Sequence, residues 1–453
     1  MQTLKTIRIG SGAGYAGDRI DPAVEIAEKG NVDYLVFECL AERTIALANQ
    51  AKLQDPEAGY DPLLEARMHA VLPHIVDSQG HKRFKIISNM GAANPLAAIK
   101  RIKLICQQLG LPQLKIAAVL GDDVLEQIQG QGWLLDNGLT LEQLGSNLIA
   151  ANAYLGIDGI VTALQQQADI VITGRVADPS LFLAPLVHEF AWSTSDWPLL
   201  GKGTVVGHLL ECAGQLTGGY FADPGSKDVP DLAHLGFPIA EVNAQGQAQL
   251  SKVAGSGGLL STATCTEQLL YEVHNPKAYL TPDVTADFSA VRFSQQGAEQ
   301  VSVSGASGAQ RPDTLKVTVG FSDGFIGEGQ ISYGGPNALA RAQLARDIVL
   351  TRLAKLQIDT LDIRADLLGL NSLHGDVEPN ANHTPWEIRL RIAAHCRSQA
   401  QANAVANEVE SLYTNGPYGG GGAVKTVKPV LAVSALYLPR ESVTPQVIME
   451  HSA

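Results

Sequence analysis

Cysteine is scarce in this chain of 453 residues: Cys39, Cys106, Cys212, Cys265 and Cys396 lie far apart in apolar stretches, with no C-x-x-C pair. That spacing excludes a disulfide framework and a zinc-thiolate site and fits a reducing compartment, so a cytoplasmic location is expected. Positive charge is also short, 33 Lys and Arg against 46 Asp and Glu for a net -13, and the basic residues are scattered singly. No basic stripe exists for nucleic acid or an anionic membrane, so neither is expected as a partner, and any anionic ligand must be met by local donors. No unbroken apolar run reaches the roughly 18 residues of a membrane span, and no apolar signal core follows the opening MQTLKTIRIG. H-E-x-x-H, G-x-S-x-G and G-x-x-x-x-G-K-[ST] are all missing, which removes the zincin, hydrolase-elbow and P-loop readings. No metal site and no fixed-period repeat are expected.

What remains is an ordinary globular composition, 45% apolar and 17% charged, in a chain long enough for about two domains. Short apolar runs alternate with helical stretches: TIRIGS, DYLVFECL, FKIISNM, LKIAAVLG and ADIVITG are each followed by a helix. Such runs describe βαβ units, and the predicted fold is a doubly wound, mostly parallel, Rossmann-like three-layer sheet. Leu181 to Tyr279 reads as helices joined by Gly- and Pro-rich loops. Composition shifts near Val284 toward Ser, Gln and Gly, placing the boundary of an α/β core domain (1–283) from an α+β domain (284–453). The latter reads as a ferredoxin-like βαββαβ core over about 327–440.

In an open parallel sheet, ligands bind beyond the carboxyl ends of the strands. The residues there are Gly10, Gly12, Gly14, Gly17, Asp18 and Arg19 after the first strand, Glu38 after the second, and Asn89 and Gly91 after the third. Asp122 and Asp123 close the fourth, and Gly174, Arg175 and Asp178 follow ADIVITG. Gly12 to Gly17 form a literal G-x-G-x-x-G with Glu38 about twenty residues on, the spacing of a dinucleotide fingerprint. Asp21 and Pro22, however, start the helix after the glycines, and Asp18 would repel phosphate, so NAD is not expected and the loop reads as a tight turn or another ligand's cradle.

Glu38, next to the apolar run DYLVF, reads as a partly buried acid/base group or as a helix-start carboxylate. Asn89 reads as an oxyanion donor or an ordinary turn residue, and Asp122 as a base or, less in keeping with its lack of clustered acids, a magnesium ligand. Asp18 is either catalytic or, with Arg19, a solvated pair. Arg175 is the candidate anion clamp, with Asp178 beside it as a ligand contact or helix cap. Ser256, Gly257 and Gly258 precede a helix and offer amides to a carboxylate or phosphate. His208, Glu211 and Cys212 share one helix, where Cys212 is packing or, with His208, a nucleophile. Asn415 to Gly422, NGPYGGGG, is a loop longer than a turn requires.

Taken together, IGSGAGYAGDRIDPA, VFECLAERT, ISNMGAANP, VLGDD, ITGRVADPS, LECAGQLTGGYFADPG and AGSGGLLSTATCTEQLLYEV resemble the acyclic terpene utilisation family of AtuA type. YTNGPYGGGG resembles the C-terminal ferredoxin-like extension of some members. The resemblance implies catabolism of acyclic terpenes and branched acids through CoA thioesters, with CoA as part of a substrate. Joined to the residue pattern, it implies a small anionic metabolite, handled by Glu38 or Asp122 as acid/base through hydration, dehydration or carbon-carbon cleavage. Two alternatives stand beside it: a non-catalytic partner of an acyl-CoA carboxylase or hydratase, and a nicotinamide-dependent oxidoreductase. A homo-oligomer is expected.

Overall fold

The computed structural model describes residues 5–375 and 385–452. The chain forms two compact units, one of residues 1–320 with 433–453, the other of residues 321–432.

The first unit opens with β1 (Thr6–Ala13), α1 (Asp21–Lys29), β2 (Tyr34–Phe37), α2 (Glu42–Gln54), α3 (Leu64–Val71), β3 (Lys85–Ser88), α4 (Pro95–Gln108) and β4 (Lys115–Leu120). Two single turns, α5 (Leu125–Ile128) and α6 (Leu141–Leu144), lead to β5 (Leu148–Ala153), α7 (Asp158–Gln165), β6 (Ile170–Thr173), α8 (Asp178–Phe190) and α9 (Trp197–Glu211). Then come β7 (Pro238–Asn243), β8 (Ala248–Lys252), α10 (Thr262–Leu270), β9 (Tyr279–Leu280), β10 (Thr285–Asp287), β11 (Arg292–Gly297), β12 (Gln300–Ser304) and β13 (Ser307–Ala309).

The expected doubly wound, mostly parallel Rossmann-like sheet is corrected by the strand pairing. The main sheet is mixed and ten-stranded, in the order β11-β12-β8-β7-β1-β2-β3-β6-β4, closed at the far edge by the last strand of the chain, β18 (Gln446–His451). Only the middle five strands pair in parallel, β1 with β2, β2 with β3, β3 with β6 and β6 with β4. β7, β8, β12 and β11 add an antiparallel flank, and β18 pairs antiparallel with β4. The physical reason is that main-chain pairing recruits these flanking strands, and their local patterning carries no mark of which sheet they join.

The parallel strands are apolar throughout because both faces are covered. Leu35, Phe37, Ile86, Ile116 and Ile172 share one core with Ile26 of α1, Met68 of α3 and Ile102 of α4. Their alternate neighbours point the other way, where α7, α8 and α9 pack against β1, β2, β4, β6 and β7. Adjacent strands β3 and β6 therefore send their following helices, α4 and α8, to opposite faces. Asn94 and Pro95 start α4, the Asn94 side chain accepting a hydrogen bond from Ala97 N at 3.2 Å.

The second unit is entered along β14 (Thr314–Gly334) and continues through α11 (Ala338–Lys355), β15 (Thr360–Leu368), β16 (Glu387–Cys396), α12 (Gln399–Glu410), α13 (Leu412–Asn415) and β17 (Gly421–Pro439). Its sheet runs β15-β16-β14-β17, with β16 antiparallel to both β14 and β15. Ile331, Leu390 and Ile392 from the strands pack with Ala342, Val349, Val405 and Val409 from α11 and α12.

Candidate functional site

Beyond the carboxyl ends of β1 and β2 lies a cleft of about 560 Å³ whose lining includes Asp18, Glu38, Glu42, Asp178, Glu211 and Glu272. Cys212 joins them, and Tyr15, Tyr220 and Tyr271 complete its wall, with Tyr15 and Tyr220 largely exposed. Among the described residues Arg19 is the one cation in that lining, and its guanidinium donates to Ala233 O at 2.7 Å. A cavity of similar size, 580 Å³, lies at the amino ends of the strands around Tyr34, Lys82, Lys85, Asp169 and Glu189. Its carboxylates are already engaged, Asp169 with Lys82 at 2.6 Å, Glu189 with Lys5 at 2.8 Å and Asp33 with Arg8 N at 2.8 Å, so the acidic cleft is the stronger candidate.

Glu38 is placed by the end of β2 and held from behind. Its Oε1 accepts hydrogen bonds from Leu40 N at 2.8 Å and Asn89 Nδ2 at 2.9 Å, while Cys39 N donates to Asn89 Oδ1 at 2.7 Å. Among the described residues no hydrogen bond reaches Oε2, and only 8% of the residue is exposed. Burial, reinforced by the nearby Asp178 carboxyl, pushes Glu38 well above the usual carboxylate range, against the pull of Arg175 and the two hydrogen bonds. It is a buried carboxyl in the lining of the cleft whose protonated form is favoured by its surroundings. Asn89 is fully buried, lies outside the cleft lining and bonds through both ends of its amide, so it positions Glu38.

Arg175 is fully buried under the cleft and is absent from its lining. Its guanidinium donates to the carbonyls of Leu40 and Val176 and to the Asp178 carboxylate, and it lies 4.6 Å from the centre of the Tyr154 ring. These neighbours occupy its donors. The cation ties the turn after β2 to the start of α8 and does not stand free as an anion clamp. Asp178 is the first residue of α8, and burial raises its pKa despite Arg175. Glu42 behaves oppositely: burial pushes it up, but the Tyr154 hydroxyl and Lys316 outweigh that and hold it at about 2.

The loop after β1 is pinned from within. Gly14 N donates to Asp18 Oδ2 and Arg19 N to Asp18 Oδ1, both at 2.9 Å, and burial still raises the Asp18 pKa. A Cβ on Gly14 would fall 2.5 Å from the Cys212 carbonyl carbon, so glycine permits the loop to touch the end of α9. Gly12 lies inside β1 against the Phe37 ring, Gly17 beneath the Tyr15 ring, and α1 starts only at Asp21. The helix does not open within the glycines, so the amide cradle of a dinucleotide fingerprint is not built here.

Asp122, Gly91 and the Ser256–Gly258 loop lie outside the cleft lining. Asp122 is buried beneath the β6 turn, accepting from Arg175 N and Asn152 Nδ2 at 2.9 Å, and burial raises it to about 6. Gly91 packs against the Thr173 carbonyl, where a Cβ would come within 2.5 Å. The amides of Gly257 and Gly258 already donate to His234 O and Pro230 O at 2.8 Å, and Ser256 Oγ donates to Val253 O at 2.7 Å.

Sequence reasoning missed Arg67. It is fully buried on α3, paired with Asp61 at 3.1 Å, and its guanidinium donates to Ala16 O at 2.9 Å and to Tyr15 O and Asp18 O at 3.3 Å. A signal existed: Leu64, Arg67, Met68 and Val71 fall on one helical stripe, so an arginine stands among apolar neighbours. Glu42 and Glu272 were missed as well, and nothing local marks them.

Among the described residues, no group of three or more His, Cys, Asp or Glu is arranged to hold a metal ion, and no helix is long and apolar enough to cross a membrane. No curated protein and no solved structure matches the chain. A family model does, over residues 7–449: that of the Acyclic terpene utilisation family protein AtuA.

Proposed function

The chain belongs to the acyclic terpene utilisation family of AtuA type, and from that premise we propose that it is an enzyme of branched-acid catabolism. In this reading it acts on a carboxylic acid or its CoA thioester by acid/base chemistry at the carboxyl ends of β1 and β2. The observation that carries the reading is Glu38: a buried carboxyl in the cleft lining, one oxygen fixed by Leu40 N and Asn89 and the other without a hydrogen bond among the described residues, its pKa raised by burial.

A neutral carboxyl donates a proton to a carbonyl or hydroxyl oxygen as charge develops there, then takes it back, the exchange that hydration, dehydration and carbon-carbon cleavage next to a carbonyl all require. The acidic lining sets the orientation. A polyanionic group is unmatched among Asp18, Glu42 and Asp178, so the acyl end enters and the phosphates of a CoA ester stay toward solvent. Asn89 holds Glu38 in place from behind, and Arg175 binds the Leu40 carbonyl of the same turn.

The test is incubation with a branched acid and its CoA thioester in D2O, followed by mass spectrometry. Deuterium incorporation or a hydrated, dehydrated or cleaved product is expected from the wild type and is lost in Glu38→Gln, which folds and still binds. Equal turnover by Glu38→Gln would overturn the assignment. Copurification with an acyl-CoA carboxylase or hydratase, with no turnover by the wild type, would favour the non-catalytic partner.

A further inference from the structure

The cavity of 580 Å³ at the amino ends of the strands has the opposite charge character from the cleft. Its lining carries Lys82, Arg83, Lys85 and Lys115 against Asp33, Asp169 and Glu189, in a chain of net -13. The sheet gathers these groups. β6 lies between β3 and β4, and Ile170 at its start pairs with Ile86 on one side and Ile116 on the other. One position earlier, Lys85, Asp169 and Lys115 therefore stand side by side on three neighbouring strands, the two lysines about 10 Å apart at the backbone. Side-chain bonds then draw the ammonium groups to one turn: Lys85 Nζ donates to Ala168 O at 2.8 Å, Lys115 Nζ to Gln167 Oε1 at 3.2 Å and Lys82 Nζ to Asp169 Oδ2 at 2.6 Å.

The carboxylates of the cavity are spent on other partners. Asp169 holds Lys82 and also accepts from Lys115 N at 2.8 Å, Glu189 accepts from Lys5 and from the Tyr34 hydroxyl at 2.8 Å each, and Asp33 accepts from Arg8 N. Among the described residues no carboxylate pairs with Lys85, with Lys115 or with Arg83, whose guanidinium donates to the carbonyls of His74 and Glu28. An ammonium group has three N–H donors, and Lys85 and Lys115 each give one to a neutral oxygen, so both keep donors in reserve. Burial lowers the Lys85 pKa, and Lys82 and Lys115 push the same way against the pull of Asp169 and Glu189, as befits a positive charge that its surroundings leave under-compensated.

We propose that this cavity is a second ligand site, in which the Lys85 and Lys115 ammonium groups hold the phosphate of a small phosphorylated metabolite. A phosphate dianion has oxygens enough to accept from both lysines, and its charge offsets their mutual repulsion. The cavity is larger than the phosphate alone, so the organic remainder of the ligand fits beside it, against Gln165 and Gln167 of the same lining. The site lies at the opposite ends of the strands from Glu38, so a phosphate bound there leaves the acidic cleft open.

The test is isothermal titration of the full chain with inorganic phosphate, the ionic strength held constant with sodium chloride. Saturable binding is expected for the wild type. Lys85→Gln and Lys115→Gln are each expected to weaken it roughly tenfold, the scale of one charge-assisted hydrogen bond, and the double variant to abolish it. Glutamine can still donate to the oxygen that each lysine holds, so the turn at Gln167 and Ala168 is kept. Lys202→Gln, which removes the cation of a different cavity beside α9 and β8, retains wild-type affinity. No saturable binding by the wild type, or equal affinity in the wild type and the double variant, would overturn the proposal. An equal loss in Lys202→Gln would overturn it in favour of a general response to the charge of the protein.

Discussion

Asp122 shows how a buried carboxyl outside the cleft affects the molecule. It sits at about 6, against an ordinary 3.8, because burial penalises its charge. A folded-state pKa raised in this way gives stability that is fully present below the unfolded value and is lost as pH rises through the folded one. The window is therefore about pH 4 to 6, and the shift corresponds to about 3 kcal/mol at most. Asp122→Asn mimics the protonated acid and carries no such loss. Its melting temperature is expected to gain on the wild type across that window and hold the gain above it; parallel pH profiles for the two proteins would contradict this. Glu38 was legible as a candidate because it stands beside an apolar run, whereas Glu211 was noted only as a neighbour of His208 and Cys212 on one helix. Arg175 was legible as an unusual residue but not in its duty, since the carbonyls of Leu40 and Val176 that occupy it come from turns whose shape no local pattern records.

At the scale of elements, the cleft depends on how the loop after β1 is clamped between α3 and α9. Arg67 supplies one side of the clamp. Arg67→Met removes its bonds to the carbonyls of Tyr15, Ala16 and Asp18 and leaves Asp61 buried without its partner. Urea unfolding is expected to show a loss of about 3–5 kcal/mol, the range for breaking one side of a buried ion pair. Gly14 supplies the other side. Gly14→Ala sets a methyl against the rigid Cys212 backbone, so the loop must move away from α9. A loss of about 1–3 kcal/mol is expected, as for other overpacked sites, together with weakened ligand binding. Wild-type stability and binding in this variant would mean that the contact does not shape the cleft.

Over the whole molecule, the parallel half of the main sheet was readable because β2, β3, β4 and β6 are apolar on both faces and each is preceded or followed by a helix. The antiparallel half was not. β7 and β8 lie in a stretch that reads as loops between helices, and β11 carries mostly exposed polar residues, so nothing in its own pattern assigns it to the large sheet. The same contrast sets local stability. Amides of Ile87 and Val171 in the central strands are expected to exchange with solvent last, and those of β11 at the edge first, in native-state hydrogen exchange. Uniform protection across the sheet would contradict that order.

The central claim is that the acidic cleft binds the carbonyl end of a branched acid or its thioester against Glu38. Its most direct test is a thermal-shift titration of the purified protein with free branched acids and their CoA thioesters, because a ligand that binds only the folded state raises its melting temperature. A saturable rise is expected with the wild type and with Glu38→Gln, and a much weaker one with Gly14→Ala. No rise with any acid or thioester would contradict the claim.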